Sequence, residues 1–135
     1  MRSFTQARAW RILVIDDHED PRNSMCHALR LCGHRCRGAS SSGAALGALL
    51  SFAPEAIVLD WALELGRGRQ LAKLLRAHST ASKRPLPIFI VSDGELPDAA
   101  PTLAGIDGYF AKPVSMVRIA EALAEIDRAS KRNQL

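Results

Sequence analysis

The side chains able to do chemistry stand at the ends of apolar runs. Asp16-Asp17 follows Arg11-Ile12-Leu13-Val14-Ile15, and Asp60 closes Ala56-Ile57-Val58-Leu59. Ser92 follows Pro85 to Val91, and Lys112 follows Ile106 to Ala111. Three carboxylates drawn to one place disfavour each other's charge, so a cation has to sit among them. Mg²⁺ suits such a site, being content with one or two carboxylates, a carbonyl, waters and phosphate oxygens. Lys112 adds a fixed positive charge and Ser92 a hydroxyl donor. That set meets the needs of phosphoryl transfer to a carboxylate, with Asp60 as the nucleophile. Positioning and charge neutralisation supply most of the acceleration in such a reaction. Each acid taken alone reads equally well as a loop-end cap.

The elements that position these groups are legible from patterning. Short, unbroken, β-branched runs read as strands covered on both faces. In an open parallel sheet, ligands gather at the carboxyl ends of such strands. Asp20-Pro21 predicts a helix start, an N-cap followed by proline in the first helical position, with Met25, Ala28, Leu29 and Cys32 inward and Gly33 as the stop. His34 to Ala39 reads as a short strand. Ser41 or Ser42 caps a second helix through Phe52, with Ala45, Leu46 and Leu49 as its inner face. This stretch carries no charge between Arg37 and Glu55, which fits either an inert small-residue face or a contact surface. After Asp60 come a glycine-bearing loop, Gly66 to Gly68, and a helix carrying Leu71, Leu74 and Leu75. The segment 95–104 belongs to a helix by alternation, but Pro97 and Pro101 leave room for one or two turns. Ser115 caps a last helix with Met116, Ile119, Leu123 and Ile126 inward. Strand and helix alternate five times, which predicts a doubly wound α/β fold, a five-stranded parallel sheet with right-handed crossovers.

At 135 residues the chain reads as one domain, 11–130, between an N-terminal arm (1–10, with Trp10 packing at its end) and a C-terminal tail (131–135). It is 47% apolar and 24% charged, with no apolar run long enough to span a membrane and no secretory signal, so a cytoplasmic location is expected. The net charge of +4 is concentrated in Arg67, Arg69, Lys73, Arg76, Lys83 and Arg84. No recognition-helix or aromatic stacking pattern accompanies them, which favours a solvated basic helix face over direct nucleic-acid binding. Cys26, Cys32 and Cys36 fit reduced, small core residues, since no histidine joins them at zinc-finger spacing.

In these motifs, over about residues 11–130, the chain resembles the receiver domain of bacterial response regulators. Asp16-Asp17 closes the first strand, Pro54-Glu55-Ala56-Ile57-Val58-Leu59-Asp60 leads to the acceptor, Val91-Ser92 closes the fourth strand, and Gly108-Tyr109-Phe110-Ala111-Lys112-Pro113 closes the fifth. The resemblance implies a flavodoxin-like strand order, 2-1-3-4-5. It implies that Asp17, Asp60 and the carbonyl of Ala62 bind Mg²⁺, that Asp16 acts through water, and that Ser92 and Lys112 contact the phosphoryl group on Asp60. Tyr109 falls at the aromatic switch position, moving inward as Ser92 moves toward the phosphate. The Lys112-Pro113 bond is expected to be cis. Implied partners are a histidine kinase or histidine phosphotransfer protein, and downstream a protein effector or a second copy of the chain.

The sequence departs from that pattern in three places. Asp93 stands where a small residue is usual, and should repel an incoming phosphoryl group. Leu63-Glu64 replaces the usual Met-Pro. The chain from Ser92 to Lys112 is short, with its prolines where the fourth helix belongs, so output is expected through another face, the second helix or the last. Asp93 therefore predicts slow loading, and because neither Ala62 nor Gly94 offers a polar side chain to guide an attacking water, the phosphorylated form is expected to be long-lived. No output domain is recognisable after residue 130, which fits a stand-alone receiver or one cut from a longer protein. A second reading is a degenerate receiver that binds partners without phosphorylation. A phosphatase using Asp60 is less favoured because Asp60-Trp61-Ala62 lacks a second acid. A nucleotide binder is disfavoured because no glycine-rich phosphate loop follows a strand.

Overall fold

In a computed structural model, residues 8–83, 86–93 and 105–133 are described. Five strands, β1 (Arg11–Ile15), β2 (Arg35–Ala39), β3 (Ala56–Asp60), β4 (Ile88–Ser92) and β5 (Gly108–Ala111), form one parallel sheet in the order β2-β1-β3-β4-β5. The register sets Ile15 beside Leu59 and Asp60 beside Val91, which brings the acid-bearing ends of β1 and β3 together. The helices are α1 (Glu19–Leu31), α2 (Ser42–Ser51), a single turn α3 (Leu63–Gly66), α4 (Gly68–Ser82) and α5 (Met116–Asn133). The expected strand order is the one found. The segment 95–104, with its two prolines, lies outside the described residues, as do Arg84 and Gly94.

Period-two alternation divides each central strand between two cores. Leu13, Ile15, Ile57, Leu59, Ile88 and Ile90 pack with Ala45, Ala48 and Leu49 of α2 and Leu71, Ala72 and Leu75 of α4. Ile12, Val14, Val58, Phe89 and Val91 pack on the other face with Cys26 and Leu29 of α1 and Ile119 and Leu123 of α5. Burying a strand residue of this size contributes about 2 kcal/mol, so the two-sided core anchors the strand ends on which the site is built.

Several boundaries differ from the expectation. α1 begins at Glu19, with His18 as N-cap, so Pro21 is the third helical residue instead of the first. The His18 amide donates to Asp16 Oδ1 at 2.9 Å, and that side-chain turn starts the helix early. Proline is tolerated there because the first helical N–H groups have no intrahelical partner. In α2, Ala48 is buried where Leu46 was expected, and Leu46 and Leu50 are exposed. In α4, Ala72 takes the place expected for Leu74. Cys32 is exposed at the end of α1 while Cys26 is buried. Ser41 caps α2 as expected, accepting from the Ala44 amide. Of the N-terminal arm, residues 8–10 are pinned: Trp10 is buried under the Arg8 guanidinium, and Arg8 pairs with Glu55 and Asp127.

The basic helix face is only partly solvated. Arg67, Arg69, Lys73 and Lys83 are exposed, but Arg76 turns inward. Its guanidinium donates to the Leu86 carbonyl at 3.0 Å and to the Gly105 carbonyl, and pairs with Asp107. Asp107 in turn accepts from the Ile88 amide at 2.8 Å, so Arg76 ties α4 to the start of β4 and the approach to β5.

Candidate functional site

Asp16, Asp17 and Asp60 meet at the C-terminal edge of the sheet, together with His18. One ligand atom from each lies within 4.8 Å of all the others. Parallel β1 and β3 end side by side, so the chain ends of both strands deliver their acids to one point. Asp60 and Asp16 are buried, at 4% and 5% exposure, while Asp17 reaches solvent. Lys112 arrives from the end of β5, where its amide donates to the Ser92 carbonyl at 2.9 Å and its bond to Pro113 is cis, as expected. Its Nζ stands 3.4 Å from Asp60 Oδ1 and 3.7 Å from Asp16 Oδ2.

Burial pushes the Asp60 carboxyl above the ordinary aspartate value; Lys112 pulls it down, and the neighbouring Asp16 charge pushes it up. The site is thus short of positive charge by its own construction. The donor set consists of carboxylate oxygens with a single imidazole, which fits a hard divalent cation held largely by oxygen. The Ala62 carbonyl lies one residue beyond Trp61. It accepts from the Gly66 amide at 3.2 Å, which leaves its second lone pair for another partner.

His18 and Glu64 were missed in the sequence. Nδ1 of His18 is 3.3 Å from both Asp16 Oδ1 and Asp17 Oδ1. Its place directly after Asp16-Asp17 was the available signal. Glu64 donates its amide to Asp17 Oδ2 at 3.1 Å, while its carboxylate accepts from the Ser42 amide at 3.0 Å and from the Ser42 hydroxyl. These Ser42 bonds hold the Glu64 carboxyl below the usual range. One residue therefore links the acid cluster to the start of α2. The turn carrying it is left-handed at two consecutive non-glycine residues, Glu64 (φ 49°) and Leu65 (φ 61°). Gly68 then lets α4 approach closely, since a Cβ there would stand 2.6 Å from the Trp61 carbonyl oxygen.

Ser92 closes β4 and is buried, its hydroxyl donating to the Asp93 carbonyl at 3.2 Å. Tyr109 is half-buried against the α2–α4 core, which raises its phenol. Asp93 is exposed. A cleft of about 490 Å³ is lined by Asp16, Asp60, Asp93 and Lys112 and extends between Met25 of α1 and Met116 of α5. The structure therefore brings Asp16, Asp17, Asp60 and Lys112 together and sets Asp93 at the same opening. Tyr109 faces the other core, and Gly94 lies outside the described residues.

Comparison with known proteins points the same way. The chain is 27% identical over 128 residues to the sensory/regulatory protein RpfC of Xanthomonas campestris, covering 93% of this chain and 18% of RpfC. It is 31% identical over 121 residues to the phosphate regulon transcriptional regulatory protein PhoB of Klebsiella pneumoniae, covering 89% of this chain and 52% of PhoB. The chain thus spans about half or less of the length of these relatives. The crystal structure of NtrX from Brucella abortus superposes with a TM-score of 0.80 at 26% identity, over 94% of this chain and 29% of that one. No helix among the described residues is long and apolar enough to cross a membrane. The model of the response regulator receiver domain matches residues 12–124, and the chain belongs to that family of two-component signalling domains.

Proposed function

We propose that this chain accepts a phosphoryl group on Asp60 from a histidine kinase or histidine phosphotransfer protein and passes the signal on by changing a protein-interaction surface. One observation carries the reading: a buried carboxylate at the end of β3, 3.4 Å from the Lys112 ammonium and within 4.8 Å of Asp16 and Asp17. An Asp60 carboxylate oxygen attacks phosphorus, and the new P–O bond forms as the bond to the donor's leaving group breaks. The leaving group keeps the electron pair. Asp60, Asp17 and the Ala62 carbonyl would hold Mg²⁺, with Asp16 acting through water. The ion, when bound, neutralises charge on the transferring oxygens. Lys112 holds one of those oxygens, and Ser92 exchanges its bond to the Asp93 carbonyl for one to the phosphoryl group. Tyr109 follows Ser92 inward.

The surface that reports this change would be α2 or α5, and its partner a protein effector or a second copy of the chain. Leu46 and Leu50 on the charge-free α2 support the former. The reading is tested by intact-mass measurement after treatment with acetyl phosphate and Mg²⁺. One added phosphoryl group is expected, lost in Asp60→Asn. No addition to the unaltered chain would favour the other reading, an interaction module in which Asp93 has closed the pocket to phosphate.

A further inference from the structure

Away from the strand ends, two thiols meet. Cys26 of α1 and Cys36 of β2 are both buried, and the Cys36 thiol donates to Cys26 Sγ at 2.9 Å. A disulfide needs about 2.05 Å between its sulfurs. The pair is therefore roughly 0.9 Å from bonding distance, within reach of a side-chain rotation.

The surrounding contacts hold the two elements in that relation. Arg30, one turn after Cys26, donates to the Cys36 carbonyl at 2.7 Å. Arg22, one turn before it, lays its aliphatic stem against Gly38 of β2 and donates to the Asp16 carbonyl at 3.0 Å. α1 is thus clamped to the edge strand on both sides of the sulfur pair. The two sulfurs also differ chemically. The hydrogen bond from Cys36, followed by the charges of Arg30 and Arg22, brings Cys26 down to about 7 against the opposing effect of burial. Cys36 is pushed up by donating that bond and by burial, and so keeps its proton. A thiolate beside a protonated thiol is the arrangement in which one cysteine attacks and the other resolves.

We propose that Cys26 and Cys36 are an oxidation site that forms a disulfide with a small peroxide, pinning α1 to β2. The Cys26 thiolate attacks one peroxide oxygen, the O–O bond breaks, and hydroxide leaves, giving a sulfenic acid. Cys36 then attacks that sulfur, the S–O bond breaks, and the oxygen leaves as water with the Cys36 proton. The hydroxide takes up the proton that Cys26 lost on ionising, so overall two thiols lose two electrons and one hydrogen peroxide becomes two waters. The bond ties down the helix whose Pro21, Ser24 and Met25 line the cleft beside Asp60. In a reducing compartment it would be transient and reversible.

The experiment uses the unaltered chain, because Arg30 and Arg35 place each cysteine in a separate tryptic peptide. The protein is treated with graded hydrogen peroxide, its free thiols are blocked with N-ethylmaleimide under denaturing conditions, and it is digested without reductant. The free-thiol count should fall from three to one, with residues 23–30 linked to residues 36–37. Dithiothreitol should restore all three. Full labelling of Cys26 and Cys36 at doses that oxidise the exposed Cys32 would overturn the proposal. So would cross-links made through Cys32, or over-oxidation of Cys26 with no link to Cys36.

Discussion

Lys112 serves two buried acids at once: its Nζ is 3.4 Å from Asp60 Oδ1 and 3.7 Å from Asp16 Oδ2. One ammonium cannot neutralise both, and burial leaves the Asp60 carboxyl raised despite it. The folded chain therefore holds the Asp60 proton more tightly than the unfolded chain does. That contribution favours folding in acid and is lost as pH rises from the ordinary value of 3.8 through the raised folded value. At neutral pH the ionised group is a cost.

Asp60→Asn should accordingly stabilise the chain at neutral pH in the presence of a chelator, by about 1 kcal/mol. The gain should shrink on acidification, because a protonated Asp60 no longer repels Asp16. Chemical denaturation at a series of pH values checks this. A loss of stability at neutral pH would count against the charge imbalance.

His18 adds an imidazole to an otherwise oxygen-only cluster. Imidazole suits Ni²⁺ and Zn²⁺ better than Mg²⁺. His18→Ala should leave Mg²⁺ affinity within a factor of a few and weaken Ni²⁺ binding about tenfold, the lower end of the cost of losing a group that supports a metal site. Trp61, next to Asp60, offers a fluorescence readout. Equal losses for both ions would mean that the ring acts only on the carboxylates.

Asp93 shares the cleft opening with Asp60. An exposed charge acting across solvent is worth under about 1 kcal/mol, so Asp93→Ala should speed loading by acetyl phosphate roughly threefold. The rate of mass gain under single-turnover conditions measures it. Unchanged loading would remove Asp93 as the brake.

Leu65 occupies a left-handed conformation with its side chain fully in solvent. The conformation costs a non-glycine residue about 1 kcal/mol, and no buried contact repays it. Leu65→Gly should raise stability by that order, read from the urea midpoint at constant slope. A fall in the midpoint would mean that Leu65 makes a contact which offsets the strain.

What could be read from the sequence was whatever a local pattern determines. The β-branched runs ending in Asp16-Asp17, Asp60 and Ser92 announced the strands, and parallel order then placed their ends together. Where the signal has no phase, reading failed. α2 is apolar all round, so nothing in Ala45-Leu46-Gly47-Ala48-Leu49 says that Ala48 is inside and Leu46 outside. Glu64 was invisible for another reason: its turn is left-handed without a glycine, and its partners, Ser42 and Asp17, are distant in the chain. The Cys26–Cys36 contact likewise exists only once α1 folds back on β2.

Locating the phosphoryl group tests the central claim most directly. Acetyl phosphate-treated protein is reduced with borohydride, which converts an aspartyl phosphate to homoserine, and peptides are then sequenced by mass spectrometry. Homoserine at position 60, dependent on Mg²⁺ and much reduced in Lys112→Ala, is the expected result. Modification at another acid, or none in a chain that binds Mg²⁺ normally, would contradict Asp60 as the phosphoacceptor.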